Sequence, residues 1–247
     1  MTCPVPRYDV VCFDVDGTLY PARMMRRNLL LCALAHPVLF SRYSSVRKVF
    51  RPYQEGREFS SVYDMPTREA LIMAGRYGEL ELPEQQAAQV LADPFVIRLK
   101  DSLTEIVYPS MARMMRHIKP FRGVRQTMEK LCASGVRIGV LSDFPLGDKL
   151  RTLGVSDLVT FAADCLDCRY LKPDKRCFDY LVDCGRINRR TDRVLFVGDS
   201  WQKDVAGALQ AGWDAALIGR GRPESRGCRV FEDWETFDRW LSTGLED

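Results

Sequence analysis

Two aspartates close the first strand that can be read in this chain. The run Val10-Val11-Cys12-Phe13 is short and apolar, and it is ended by Asp14-Val15-Asp16-Gly17-Thr18. Its length and its β-branched and aromatic content predict a buried strand. Asp14 and Asp16 then lie at the carboxyl end of that strand, where open α/β sheets bind ligands. Two residues apart on an extended chain, their side chains point to one face. Carboxylates crowded in this way repel each other, and a divalent cation removes the repulsion. Mg²⁺ takes hard oxygen ligands from one or two carboxylates and leaves room for a substrate phosphate. The plain alternative is a strand that ends in a polar turn, since Asp and Gly are common turn formers. The pentapeptide alone leaves both open.

Beyond Thr18 the apolar spacing changes to a helical period. Arg23 to Ala35 places apolar residues beside a basic face, and further helices are predicted over Thr67–Tyr77, with Thr67 as cap, and over Pro83–Leu91. Asp93-Pro94 opens another that runs to about Val107, and Pro109 begins a last one through Ile118. Glycines are sparse between Gly17 and Gly123, which favours helices over hairpins. Residues 20–118 therefore read as one all-helical block. From Pro120 helix and strand alternate: helix Val124–Ala133, strand Val136–Leu141, helix Asp148–Leu153, and a weaker strand near Leu158–Ala162. A helix over Phe178–Cys184, strand Val194–Val197, a helix over Val205–Gln210, strand Ala215–Ile218 and a final helix Trp234–Leu241 follow. That alternation argues for a Rossmann-like α/β core, a parallel sheet with helices on both faces, built from residues 1–19 and 119–247. The block 20–118 would be a helical cap inserted into it.

Composition narrows the setting. The longest apolar run of interest, Leu29 to Phe40, is too short to span a bilayer and contains His36 and Pro37. The first seven residues contain no apolar signal core, so the expectation is a cytoplasmic protein. The nine cysteines are scattered and odd in number, which suits free thiols in a reducing compartment. Cys165 and Cys168 have C-x-x-C spacing, but Cys177 and Cys184 continue no standard zinc pattern and read as core positions on a helix. Net charge is +3 but unevenly spread. Arg23, Arg26, Arg27, Arg42, Arg47, Lys48 and Arg51 follow one another without an acidic residue between them, whereas the sheet-forming part is slightly acidic. This split suits an anionic ligand. With no recognition motif and a small overall charge, nucleic acid is not the expected partner.

The predicted strands end in polar groups at one sheet edge: Asp14 and Asp16 after the first, Ser142 after the second, and Asp199 after the strand Val194–Val197. Lys172 precedes the helix before that last strand. Such groups in one crevice suit phosphoryl transfer, with a nucleophilic carboxylate, a cation and donors for the equatorial oxygens. Taken singly, Ser142 is a turn residue, Lys172 a loop lysine, and Asp199 and Asp204 acids at a helix N-terminus. Their order and spacing make the chain resemble the haloacid dehalogenase (HAD) superfamily, in the phosphatase branch that carries a helical cap between its first and second motifs. The resemblance rests on Asp14-Val15-Asp16-Gly17-Thr18, on Ser142 of Leu141-Ser142-Asp143, on Lys172-Pro173, and on Gly198-Asp199-Ser200 with Asp204. It covers about residues 8–20 and 120–219, and the cap shows no comparable signature.

The resemblance implies roles. Asp14 attacks phosphorus to form an aspartyl-phosphate, and Asp16 protonates the leaving oxygen and then activates water. Ser142 hydrogen-bonds a phosphoryl oxygen, and Lys172 offsets the charge on Asp14 and the phosphoryl group. Mg²⁺ is held by Asp14, Asp199 and the backbone carbonyl of Asp16, with Asp204 supporting or ligating. Thr18 and Asp143 join Ser142 and Lys172 around the substrate, and Arg23 and Arg27 are candidates for a second anionic group. Asp143 stands where the family often has asparagine, Arg169 where glycine is frequent, and Trp201 lies inside the acidic motif; these departures bear on substrate, not on catalysis. Dehalogenating members lack an aspartate at the place of Asp16. The expected activity is thus Mg²⁺-dependent hydrolysis of a small phosphorylated metabolite. The alternatives are a phosphomutase or phosphotransferase of the same superfamily, or a non-catalytic binding protein on this fold.

Overall fold

The structure is a computed structural model that describes residues 8–24, 33–59, 62–219 and 227–242. The chain divides into two compact units, one of residues 1–22 and 118–247 and the other of residues 23–117.

The first unit is built on six parallel strands: β1 Val10–Phe13, β2 Arg137–Ser142, β3 Phe161–Asp164, β4 Val194–Gly198, β5 Asp214–Ile218 and β6 Cys228–Phe231. Their spatial order is β3-β2-β1-β4-β5-β6. The chain winds outward from β1 through β2 to β3, then returns to the other side of β1 with β4. The strand order therefore reverses between β1 and β4, and ligands of doubly wound sheets bind at the carboxyl ends of the strands flanking such a point. Phe13 is in register with Val140 of β2 and Val197 of β4, so the residues that follow all three strands emerge at one level.

All four residues of β1 are wholly buried, as befits a central strand covered on both faces. Val10 and Cys12 join Phe196, Ala215 and Leu217 in a core completed by Cys177, Phe178, Leu181 and Val182 of the helix Lys175–Gly185. Phe13 points the other way and stacks on Trp234 of the helix Trp234–Ser242, with ring centroids 5.7 Å apart. The alternation along β1 thus decides which helix covers which face. The helix Val124–Ala133 follows its sequence pattern to the residue. The strand expected near Leu158–Ala162 forms later, at Phe161–Asp164, and β6 was not legible at all. Cys228–Phe231 is a four-residue edge strand whose place depends on pairing with β5.

The second unit is helical throughout its regular structure: Pro37–Gln54, Met65–Met73, a 3₁₀ turn Tyr77–Glu81, Glu84–Leu91, Pro94–Ser102 and Tyr108–Met115. The helix expected to start at Thr67 starts at Met65, because Asp64 is its cap and accepts the Thr67 N–H at 2.9 Å. Pro66 in the first turn lacks only an N–H that a helix start leaves unpaired. Pro109 does not open a separate helix. A π-turn over Leu103–Val107 joins Pro94–Ser102 to Tyr108–Met115, with the Tyr108 N–H on the Leu103 carbonyl. The wider i→i+5 spacing just ahead of Pro109 accommodates a ring that would clash in a regular turn. The helix expected over Arg23–Ala35 falls largely outside the described residues. No described helix is long and apolar enough to cross a membrane.

Candidate active site

The turn after β1 delivers Asp14, which is 3% exposed, and its N–H continues the ladder onto the Val197 carbonyl at 2.9 Å. Gly17 then takes φ +111°, a backbone conformation open to glycine. A Cβ there would fall 2.1 Å from Asp199 Oδ2, so the bare backbone is what lets the carboxylate after β4 lie against the loop after β1. Gly198 has the same use at the end of β4, where a Cβ would meet Asp204 Cβ at 2.3 Å. The chain after Asp199 makes a π-turn over Trp201–Val205, and the helix expected over Val205–Gln210 follows it at Ala206–Gln210. This turn buries Asp204 completely, with its Oδ2 accepting the Ser200 N–H at 3.0 Å.

Lys172 arrives on the loop before the helix Lys175–Gly185, and Asp143 fixes that loop by accepting the Lys172 N–H at 2.9 Å. The lysine is 1% exposed. Its ammonium meets Asp14 Oδ1 at 2.6 Å, Asp204 Oδ1 at 2.7 Å and the Leu141 carbonyl at 3.2 Å, three acceptors for three protons. Carboxylate oxygens of Asp14, Asp199 and Asp204 all lie within 4.8 Å of one another.

Burial and ion pairing compete at each group. For Asp14, burial pushes the carboxyl up, but the Lys172 charge and hydrogen bond, with Lys203 and Thr18 behind them, hold it below the usual range. For Lys172, burial alone would lower the ammonium, and the charges of Asp14, Asp204 and Asp143 outweigh it and raise it well above the ordinary value. Asp204 goes up, because its burial and the Asp14 charge exceed the help of the shared lysine. Asp199 goes up as well, by partial desolvation of its carboxyl against the neighbouring acids and then by the charge of Asp14, although the residue as a whole is exposed. Three carboxylates around one buried ammonium leave a surplus of negative charge in a hard-oxygen donor set, which fits a small divalent cation. Asp204 is wholly buried with its oxygens on Lys172 and Ser200, and Asp14 has its own on Lys172 and Thr18, so Asp199, the exposed acid of the three, is the most open to a cation.

Asp16 departs from the one-face arrangement that an extended strand would give it with Asp14: β1 ends at Phe13, and the carboxylate of Asp16 lies outside the acidic group. It accepts Lys149 Nζ at 3.0 Å on Oδ1 and 2.8 Å on Oδ2, and the Tyr20 hydroxyl also donates to Oδ1. Ser142 Oγ lies 3.3 Å from Asp16 Oδ2 and 2.7 Å from the Phe144 carbonyl, and its single proton goes to the nearer acceptor. Thr18 is wholly buried and gives its hydroxyl to Asp14 Oδ2 at 2.9 Å, so it orients Asp14. Asp143 is buried and serves the Lys172 backbone. Arg23 is exposed in the second unit, and Arg27 lies outside the described residues. Lys149 and Tyr20 went unnoticed in the sequence. Tyr20 stands four residues after Asp16, but Lys149 belongs to no motif and only the fold brings it in.

The described cysteines are free. Cys12, Cys165, Cys168, Cys177 and Cys228 are buried, and among the described residues no cysteine belongs to a metal-holding group.

A parallel sheet with a carboxylate after its central strand, a buried lysine and further acids after the neighbouring strand defines an aspartate-based site on a Rossmann-like α/β core. The chain belongs to the haloacid dehalogenase-like hydrolases, whose family model matches residues 8–212. Among characterised relatives it is 26% identical over 236 residues to a glyceraldehyde 3-phosphate phosphatase of Methanopyrus kandleri, covering 92% of this chain and 91% of that one. The magnesium-bound putative HAD-hydrolase YfnB of Bacillus subtilis shares the fold, with TM-score 0.65, 16% identity and coverage of 95% and 99% of the two chains. So does the L-2-haloacid dehalogenase of Xanthobacter autotrophicus, with TM-score 0.61, 18% identity and coverage of 95% and 98%.

Proposed function

We propose that the protein is a Mg²⁺-dependent phosphatase that hydrolyses a small phosphomonoester through an aspartyl-phosphate on Asp14. The observation that carries this reading is the Lys172 ammonium shared by Asp14 and Asp204, with Asp199 beside them. A buried carboxylate held ionised by a lysine is a nucleophile kept ready. The relative named as a phosphatase supports a phosphorylated substrate, and the free thiols suit a reducing cytoplasm.

In this reading Asp14 attacks phosphorus and the P–O bond to the leaving alcohol breaks. Asp16 gives a proton to the departing oxygen, then takes one from the water that hydrolyses the aspartyl-phosphate. Thr18 and Lys172 fix the two oxygens of Asp14, and Lys172 offsets charge that builds on the phosphoryl group. Ser142 turns its hydroxyl from the Phe144 carbonyl to a phosphoryl oxygen. Asp14 and Asp199 would hold Mg²⁺, which when bound would supply the remaining positive charge. A carboxyl that donates and accepts protons serves a phosphate ester, whose alcohol needs protonation, better than a carbon–halogen bond, whose halide does not.

The test is phosphate release from a panel that includes glyceraldehyde 3-phosphate and other phosphomonoesters, with halide release from 2-chloropropionate alongside. Wild type and Asp14→Asn are compared with Mg²⁺ and with chelator. Turnover of an ester that needs both the metal and Asp14 supports the proposal. Halide release without phosphate release would overturn it.

A further inference from the structure

The carboxylate of Asp16 is held by a residue from another part of the sheet. Lys149, 133 positions away in sequence, puts its ammonium within 3.0 Å of both oxygens and is itself 8% exposed. Its side chain is fixed along its length. The Phe144 ring lies 5.6 Å from the ammonium, and the Lys149 N–H closes a turn onto the Leu146 carbonyl at 2.9 Å. The Leu146 N–H is in turn anchored at 2.9 Å on Asp164, the last residue of β3. A relay of hydrogen bonds thus runs from the end of β3 to the carboxyl of Asp16. Tyr20, also buried, donates to Oδ1.

A lysine this buried is an expensive way to stabilise a fold, because an apolar side chain of its size would avoid the loss of hydration. What the ammonium supplies that a methionine cannot is a two-oxygen grip that sets the plane of the carboxyl. Misplacing a reacting group by about 1 Å can cost roughly a hundredfold in rate. We propose that Lys149 is a positioning residue for the proton transfers of Asp16: its two-oxygen grip sets the plane of the carboxyl, and one of those two contacts gives way when that oxygen carries the proton destined for the leaving group. The inference rests on the phosphatase reading above.

Leaving-group chemistry separates this role from simple structural support. An alkoxide is a poor leaving group and needs the proton from Asp16, whereas 4-nitrophenolate departs almost unaided. The value of kcat/KM covers steps only through formation of the aspartyl-phosphate, so it isolates this first transfer. For Lys149→Met, kcat/KM for the best alkyl ester of the panel is expected to fall about a hundredfold, in the range that a positioned acid contributes. The fall for 4-nitrophenyl phosphate is expected to be less than about threefold, and Lys149→Arg should recover much of the alkyl loss. The Mg²⁺-induced rise in unfolding temperature should match wild type in both variants, which reports an intact Asp14–Asp199 region. Equal losses on the two esters, or none, would overturn the inference. If Lys149→Met does not fold, Lys149→Gln decides on the same two esters, since it keeps a polar side chain but loses the charged two-oxygen grip and must cost the alkyl ester more. Wild type that hydrolyses neither ester would instead overturn the phosphatase reading, and the inference with it.

Discussion

Lys172 Nζ and Asp14 Oδ1 lie 2.6 Å apart, joined across 158 residues of sequence and buried on both sides. Asp204 shares the same ammonium at 2.7 Å. Neither carboxylate can keep its charge in such a place without the lysine. Lys172→Met should therefore abolish turnover and also lower stability, by about 3–5 kcal/mol, the usual result of removing one partner from a buried pair. Urea unfolding of the metal-free protein measures this. An unchanged midpoint would mean that the pair is not sealed from water.

Asp199 is the exposed acid of the group, and its own charge weighs slightly against the folded state when no metal is bound. Its carboxyl holds a proton to higher pH than an unfolded aspartate would, through partial desolvation and the charge of Asp14. Above the ordinary carboxylate pKa the folded state then binds more protons than the unfolded chain, so this group's contribution to stability declines as pH rises. Asp199 is exposed and its charge is screened by solvent, so Asp199→Asn should flatten that decline only slightly and change the neutral-pH unfolding temperature of the metal-free protein by at most about 1 °C. In wild type, Mg²⁺ at a hundred times its dissociation constant should raise that temperature by roughly 5–10 °C, and the variant should lose the response. Thermal scans at several pH values, with Mg²⁺ and with chelator, test both statements.

Gly17 is where the loop after β1 meets the acid after β4. Gly17→Ala brings a Cβ to 2.1 Å from Asp199 Oδ2 and forces an alanine to φ +111°. The expected outcome is a loss of roughly 1–3 kcal/mol from backbone strain, together with a weakened Mg²⁺ response because Asp199 is pushed aside. A variant that keeps the full Mg²⁺ response would show that Asp199 does not need this approach.

The indole of Trp234 donates to the Thr18 carbonyl at 2.9 Å while its ring stacks on Phe13. The C-terminal helix thereby pins the loop that carries Asp14, Asp16 and Thr18. Trp234→Phe keeps an aromatic ring but leaves a buried carbonyl unpaired, at a cost of about 1–3 kcal/mol. Denaturant unfolding reads the loss, and kcat should fall too if the loop is loosened. An unaltered midpoint would argue that water replaces the indole.

Wherever a local pattern was strong, it was enough. β1, the helix Val124–Ala133 and β4 announce themselves by period and by the residues that end them. Asp14, Asp16, Ser142, Lys172 and Asp199 were legible as a set because parallel strands put successive strand ends at one edge, and Asp204 was added by the family resemblance. Weak elements were not legible. β6 is four residues long and exists by pairing with β5, and the late start of β3 is set by its register with β2. Pro109 looked like a helix start because the π-turn that makes room for it has no sequence signature.

The sequence by itself determined the sheet class and the acids at its strand ends, since these follow from chain order and short spacings. The tertiary structure decided how each charge is partnered. It shares Lys172 between Asp14 and Asp204, turns Asp16 toward Tyr20 and Lys149, and commits Thr18 to Asp14. The physical reason is reach. Spacing fixes neighbours within a few residues, but an ion pair across 133 or 158 positions forms only when packed strands and helices bring its two ends within 3 Å.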